Sequence, residues 1–168
     1  MQFKTAKIYF IGGGVCMKYE INDQTLAIIP YSNSKTKIIE ADDEYVVDST
    51  PYSIMEHSCE YFGSSLMGRV NGTRSVLGTI YKAPIFVEET KKLIFFPTEA
   101  IDSDNVSWVS YRNISNVEKF NNKSIVKFNN GTAVIIDCPY FSIKNQIFRC
   151  NMLESISNSR KLSVKKDD

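Results

Sequence analysis

The chain has little of what metal and nucleophilic chemistry needs. Its 168 residues include 1 His and 4 Cys. Cys16, Cys59, Cys138 and Cys150 form no CxxC pair, and His57 stands alone. A zinc site needs closely spaced ligands, so no metal and no cofactor are expected. No GxSxG, HExxH or GxxxxGK[ST] motif occurs, and Gly12-Gly13-Gly14 lacks the strand–turn–helix setting of a phosphate loop. His57 reads as a partly exposed helical residue rather than a base, and enzyme chemistry is not expected. No apolar run approaches the ~20 residues that span a bilayer, which removes a membrane-spanning helix. Four cysteines in a chain of this length are no disulfide scaffold, and reduced, buried thiols point to the cytoplasm. Charge of one sign is also missing: 20 Lys and Arg face 19 Asp and Glu, for a net +1. Taken whole, that balance argues against a nucleic-acid binder, whose domain is usually basic.

What is present is an ordinary globular composition, 43% hydrophobic and 23% charged. One domain is expected at this length. The charge is unevenly placed. Residues 40–60 carry seven acids and no Lys or Arg, whereas residues 105–166 carry ten basic residues and three acids. An acidic block therefore masks a basic C-terminal third. Two readings stay open: solvated faces of opposite sign, or a local positive surface for phosphates.

The first residues stand apart. Ile8-Tyr9-Phe10-Ile11 is too short for a signal-peptide core, and Val15 spoils the small-residue pattern before Cys16. The wealth of Ile, Lys and Asn suggests AT-rich codons. Gly12-Gly13-Gly14-Val15 would need a G-rich stretch just upstream of Met17, as a ribosome-binding site has. Translation is therefore expected to start at Met17, leaving 1–16 as a mis-assigned leader or disordered extension, 17–156 as the domain and 157–168 as a polar, frayed tail.

The coarse pattern is strand-rich. Lys18–Ile21 with Thr25–Pro30 reads as a hairpin. Short strands follow at Lys37–Ile39 and Tyr45–Val47. Thr50-Pro51 opens a helix that runs to about Phe62, where Gly63 stops it. Ser64–Thr73 reads as a polar, glycine-punctuated connector with room for a helical turn. Strands are expected at Ser75–Tyr81, Pro84–Val87, Leu93–Phe96, Val106–Tyr111, Val117–Phe120, Ile125–Phe128 and Thr132–Asp137. Asn121-Asn122 and Asn129-Asn130-Gly131 supply turns. A last helix spans about Phe141 to Ile156, with Ile143, Ile147, Cys150 and Leu153 on its buried face. The fold class is α+β: a strand-rich single domain with antiparallel sheets, one central helix and one C-terminal helix.

The informative stretch is Phe62-Gly63-Ser64-Ser65-Leu66-Met67-Gly68-Arg69-Val70-Asn71-Gly72-Thr73-Arg74. Its glycines permit close backbone approach, and its hydroxyls and arginines offer donors. A phosphate or groove contact and a solvated connector fit it equally. Cys59 through Thr73 resembles a signature of the bacterial competence transcription factor family, ComK. Cys59, Tyr61, Phe62, Gly63, Ser64, Ser65, Gly68, Arg69, Gly72 and Thr73 fill the pattern. Further likenesses follow in order at Tyr19–Asn22, Thr25–Pro30, Lys82–Val87, Phe96–Thr98, Trp108–Ser110 and Asn145–Arg149.

The resemblance implies a cytoplasmic, nucleoid-associated activator of DNA-uptake genes. Such a protein reads A/T-rich promoter boxes mainly through the minor groove and acts as a homodimer or higher oligomer, reaching RNA polymerase indirectly. A narrow A-tract groove attracts Arg and Lys. The expected DNA contacts are Arg69 and Arg74, with Ser64 and Ser65 beside them and Lys82, Arg112 and Arg149 on phosphates. Pro84-Ile85 offers either a wedge between base steps or a buried strand residue. The family's basic, aromatic tail is not matched by Ser157–Lys166, which puts adaptor and Clp-type protease control in doubt. The alternative is a ComK-like protein-interaction module, or an antagonist paralogue that does not itself bind DNA. The DNA reading requires Arg69, Arg74 and the C-terminal lysines on one side, away from Glu40–Glu60.

Overall fold

A computed structural model describes residues 9–11, 14–16 and 18–164. The Met17 start and Lys165 and Lys166 fall outside the described residues. Strands β1 (Tyr9–Ile11) and β2 (Gly14–Cys16) pair as a small antiparallel hairpin.

The main element is a six-stranded antiparallel sheet. Its strands are β3 (Thr25–Ser32), β4 (Lys35–Glu40), β5 (Glu44–Val47), β6 (Ile85–Glu88), β7 (Leu93–Pro97) and β8 (Trp108–Ser110). Their spatial order is β5-β4-β3-β8-β7-β6. Two three-stranded meanders thus meet where β3 pairs with β8, with Ala27 opposite Val109 and Ile28 opposite Trp108.

Both faces of this sheet are covered. Successive strand residues point to opposite faces. Ile28, Ile38, Phe95 and Trp108 join one apolar cluster, with Ile54 and Met55 of α1 (Pro51–Tyr61) and Leu66 and Val70 of α2 (Leu66–Leu77). Their neighbours Ala27, Ile39, Ile94, Phe96 and Val109 join the other. That second cluster takes Val117, Val126 and Ile136 from β9 (Ile114–Phe120), β10 (Lys123–Phe128) and β11 (Ala133–Ile136). It also takes Ile143, Cys150 and Leu153 from α3 (Tyr140–Val164). The order β11-β10-β9 makes a separate three-stranded antiparallel sheet. Burial on both sides explains why all five residues of β7, Leu-Ile-Phe-Phe-Pro, are buried. A register shift between Thr25 and Ala27 lets Leu26 and Ala27 serve the same cluster.

The α+β class, the antiparallel sheets and the C-terminal helix hold, and three elements of the reading change. Lys18–Ile21 is not a strand; the first hairpin of the main sheet is β3–β4. The region from Ser64 is a second central helix, α2, and Ser75–Leu77 ends it rather than opening a strand. The C-terminal helix extends to Val164, so residues 157–164 are helical. Ile85 is fully buried, which removes the wedge reading. Cys59, Cys138 and Cys150 are buried free thiols, as expected.

The junction between α1 and α2 is compact. Thr50 caps α1 by accepting from the Ser53 N–H at 3.1 Å, with Pro51 in the first helical position. At the other end, the Ser64 N–H donates to the Cys59 carbonyl and the Gly63 N–H to the Glu60 carbonyl, both at 2.9 Å. This is a Schellman stop, and it needs the left-handed φ of +83° that Gly63 adopts. Replacing Gly63 with Ala forces a Cβ into that conformation. Urea denaturation of Gly63→Ala should show a loss of about 1–2 kcal/mol.

Candidate nucleic-acid interface

Helix α2 is built against its own composition. Gly68 and Gly72 each disfavour helix by about 1 kcal/mol relative to Ala. Its start is fixed from outside. The Ser65 hydroxyl accepts the Gly68 N–H at 2.9 Å, and the Glu56 carboxylate accepts the Leu66 N–H at 3.0 Å. An acidic side chain at a helix N-terminus also complements the helix dipole. Leu66, Val70 and Thr73 are buried, and the Thr73 hydroxyl donates to the Pro84 carbonyl at 2.6 Å. Tertiary packing thus overrides weak propensity.

Gly68 is needed for the cap. A Cβ there would lie 2.9 Å from the Ser65 hydroxyl and 3.2 Å from that of Ser64. Gly72 is different, because a Cβ there would meet nothing within 4 Å. It leaves helix backbone bare beside a cleft of about 310 Å³.

That cleft lies between α2 and α3. Arg69 from α2 lines it together with Arg160 and Lys161 from α3. Among the described residues, Glu89, from the β6–β7 turn, is its sole acidic lining residue. Glu89 Oε1 lies 3.2 Å from Arg69 Nη1, and its Oε2 lies 3.2 Å from Lys161 Nζ. The Arg69 Nε is buried with no partner.

The turn that carries Glu89 is ordered by its neighbour. The Glu88 carboxylate accepts the N–H groups of Thr90 at 2.8 Å and Lys91 at 2.7 Å. Desolvation pushes the Glu88 carboxyl up, but those N–H groups and the Lys91 charge outweigh it and hold the group below the ordinary glutamate value.

The other expected contacts divide into separate places. Ser64 lines the cleft with Arg69, but the Ser65 hydroxyl is engaged in the cap. Arg74 is exposed in the last turn of α2 and does not line the cleft. Lys82 and Arg149 meet in a second region. Lys82 Nζ donates to the Thr98 carbonyl at 3.0 Å, and Arg149 Nη1 donates to the Tyr81 carbonyl at 3.0 Å. Gln146, buried in α3, ties this region together by donating to the carbonyls of Lys82 at 2.8 Å and Pro97 at 2.6 Å. Arg112 lies apart, with Nη1 donating to the Lys91 carbonyl at 2.7 Å.

The charges are less segregated than the sequence suggested. Glu56, from the acidic block, reaches the N-terminus of α2. Several cations of the basic third are paired: Lys127 with Glu118 at 2.7 Å, and Lys123 with Asp137 at 3.9 Å. Lys119 Nζ sits 4.8 Å from the Phe141 ring centre and 5.4 Å from that of Tyr140. The cleft also brings in Arg160, Lys161 and Glu89, which the sequence did not single out. The first two fell in a stretch read as tail, and Glu89 fell in a hairpin turn with no motif.

Nothing in these positions forms a reactive centre. Burial pushes the Cys59 thiol up to about 12, against the opposing pull of Arg69. Such a thiol stays protonated and unreactive. His57 Nε2 faces Glu20 Oε1 at 3.4 Å on α1. Among the described residues, no group of three His, Cys, Asp or Glu could hold a metal ion. No helix among them is long and apolar enough to cross a membrane.

Fold and site define the class as an α+β domain with a cation-rimmed cleft between two helices. The chain belongs to the ComK family, whose model, described as ComK protein, matches residues 16–161. It is 32% identical over 141 residues to the Competence transcription factor of Bacillus subtilis (strain 168), covering 82% of this chain and 73% of that protein. No solved structure matches. Membership places the chain among competence transcription regulators, which are not an enzyme class.

The two glycines should separate under substitution. Gly68→Ala should disturb the Ser65 cap and lower stability by about 1 kcal/mol. Gly72→Ala should raise stability by up to about 1 kcal/mol through helix propensity. Paired thermal melts read both directions.

Proposed function

We propose that this protein binds A/T-rich duplex DNA and activates competence genes, reading its boxes mainly through the minor groove. One observation carries the reading. Arg69, Arg160 and Lys161 share one cleft beside the bare α2 backbone at Gly72. Cations attract phosphate, and an unblocked backbone permits close approach. A narrow A-tract groove would draw the same arginines, while the groove's degenerate donor pattern limits readout to A·T against G·C. Arg74, in the last turn of the same helix, lies outside the cleft and offers a separate cation. Lys82 and Arg112 donate to one backbone carbonyl each, and Arg149 Nη1 donates to the Tyr81 carbonyl and to Gln146 Oε1, which leaves further donors on all three for phosphates. The protein acts in the cytoplasm on the nucleoid and reaches RNA polymerase indirectly, as a homodimer or higher oligomer on its promoter.

A second reading, a protein-interaction module, is favoured by a different surface. Phe141, Phe148 and Met152 are exposed on α3 at spacings that place them on one helical face. If that face joins copies or partners, Phe148→Ser should shift the sedimentation profile toward monomer and leave the melting temperature unchanged. An unaltered profile removes the face from any self-association.

Titrating an A-box/T-box duplex against a G·C duplex of equal length, across a salt series, tests the DNA reading. Clear A/T preference and a steep salt slope are expected. Arg69→Ala should weaken A/T binding by about 1–3 kcal/mol and flatten the log–log slope by about one unit. An unchanged slope removes Arg69 from the interface, and equal, salt-insensitive binding to both duplexes overturns the reading.

A further inference from the structure

The cleft already holds an anion of its own. Glu89 sets one carboxylate oxygen 3.2 Å from Arg69 Nη1 and the other 3.2 Å from Lys161 Nζ. A carboxylate in that bridging position stands where a phosphodiester oxygen pair would stand, between a guanidinium and an ammonium. We propose that Glu89 is an internal competitor for the phosphate position of the α2–α3 cleft, displaced when a DNA phosphodiester enters. The inference rests on the DNA-binding reading and adds a regulating residue to it.

Three features support displacement rather than a fixed structural bridge. The Glu89 side chain is 50% exposed and that of Lys161 is 56% exposed, so the pair is weakly held in high dielectric. Glu89 springs from a turn, and it is Glu88 that anchors this turn through the Thr90 and Lys91 N–H groups. Glu89 can therefore rotate outward without unmaking the hairpin. Glu89 also leaves the cleft incompletely satisfied. Arg69 Nε is buried without a partner, although its side chain is only 20% exposed. A carboxylate reaching Nη1 alone leaves that donor empty. With Glu89 gone, the guanidinium can swing to offer its Nε–Nη2 edge, two parallel donors, to the two non-bridging oxygens of a phosphodiester. An orphaned buried donor is costly, so its satisfaction favours the exchange.

The consequence is a uniform attenuation. Displacing Glu89 costs the same for any phosphodiester that enters the cleft, so Glu89 lowers the affinity for every duplex by one factor. Further contacts, such as one to Arg160 on the rim, offset that cost.

The test is Glu89→Gln, which keeps the shape and removes the charge. Its melting temperature should match wild type, because the exposed pairs contribute little. Two titrations are then run on each protein: the A-box/T-box duplex across a salt series, and inorganic pyrophosphate followed by the ¹⁵N shift of Arg69 Nε. The expected result is roughly three- to tenfold tighter duplex binding at low salt, from two surface pairs released. A log–log slope steeper by about one unit should accompany it. The pyrophosphate midpoint should fall in parallel. The gain should shrink in an Arg69→Ala background, where Glu89→Gln releases only the Lys161 pair. Duplex affinity unchanged or weakened in Glu89→Gln, with an unchanged pyrophosphate midpoint, overturns the proposal. If neither protein binds duplex but pyrophosphate still moves Arg69 Nε at lower concentration in Glu89→Gln, the DNA reading fails and the competitor role stands.

Discussion

The structure depends on one six-stranded sheet buried on both faces. Along β7, Phe95 packs toward α1 and α2, while Ile94 and Phe96 pack toward the three-stranded sheet and α3. Trp108 and Val109 split in the same way on β8. Each fully buried side chain of this size is worth about 1.5–3 kcal/mol of transfer free energy. Neither layer of helices could be placed without the sheet between them. The Trp108 Nε1 is buried without a partner, a polar loss accepted to fill the centre with the largest side chain.

The cleft follows from that layering. Helix α2 covers one cluster and α3 the other, and the two helices meet beside the β6–β7 hairpin. Arg69, Lys161 and Glu89 come from three elements separated widely in sequence. Only the closed fold brings them within ion-pair distance. The tie at Gln146 has the same character. One buried amide holds the Lys82 loop and the end of β7 to the N-terminal part of α3.

The antiparallel class was legible because its signals are local. Asn121 and Gly131 adopt the left-handed turns their residue types favour, and Thr50-Pro51 begins a helix as the cap rules require. Buried Cys59, Cys138 and Cys150 could be read from composition. Helix α2 was not legible as a helix. Gly68, Asn71, Gly72 and Thr73 argue against one locally, and the decisive partners, Glu56 and Pro84, lie outside it. The end of α3 was missed for a related reason: Ser157–Ser163 has little apolar periodicity, and the pairing of Lys161 with Glu89 is remote in sequence. The site was half legible. The motif carried Arg69, Gly68 and Gly72, but no motif carries Arg160, Lys161 or Glu89. Ser65 is a motif residue whose hydroxyl also serves the fold, as the cap of α2.

Chemical-shift mapping of the ¹⁵N-labelled full chain with an A-box/T-box duplex locates the surface that DNA touches. Entry of a phosphodiester into the α2–α3 cleft gives the largest changes at Arg69 Nε and at the amides of Gly68, Gly72, Thr73 and Lys161, with Glu89 moving alongside them. Changes confined to β9, β10 and β11, or to the exposed Phe141–Met152 face of α3, would contradict it.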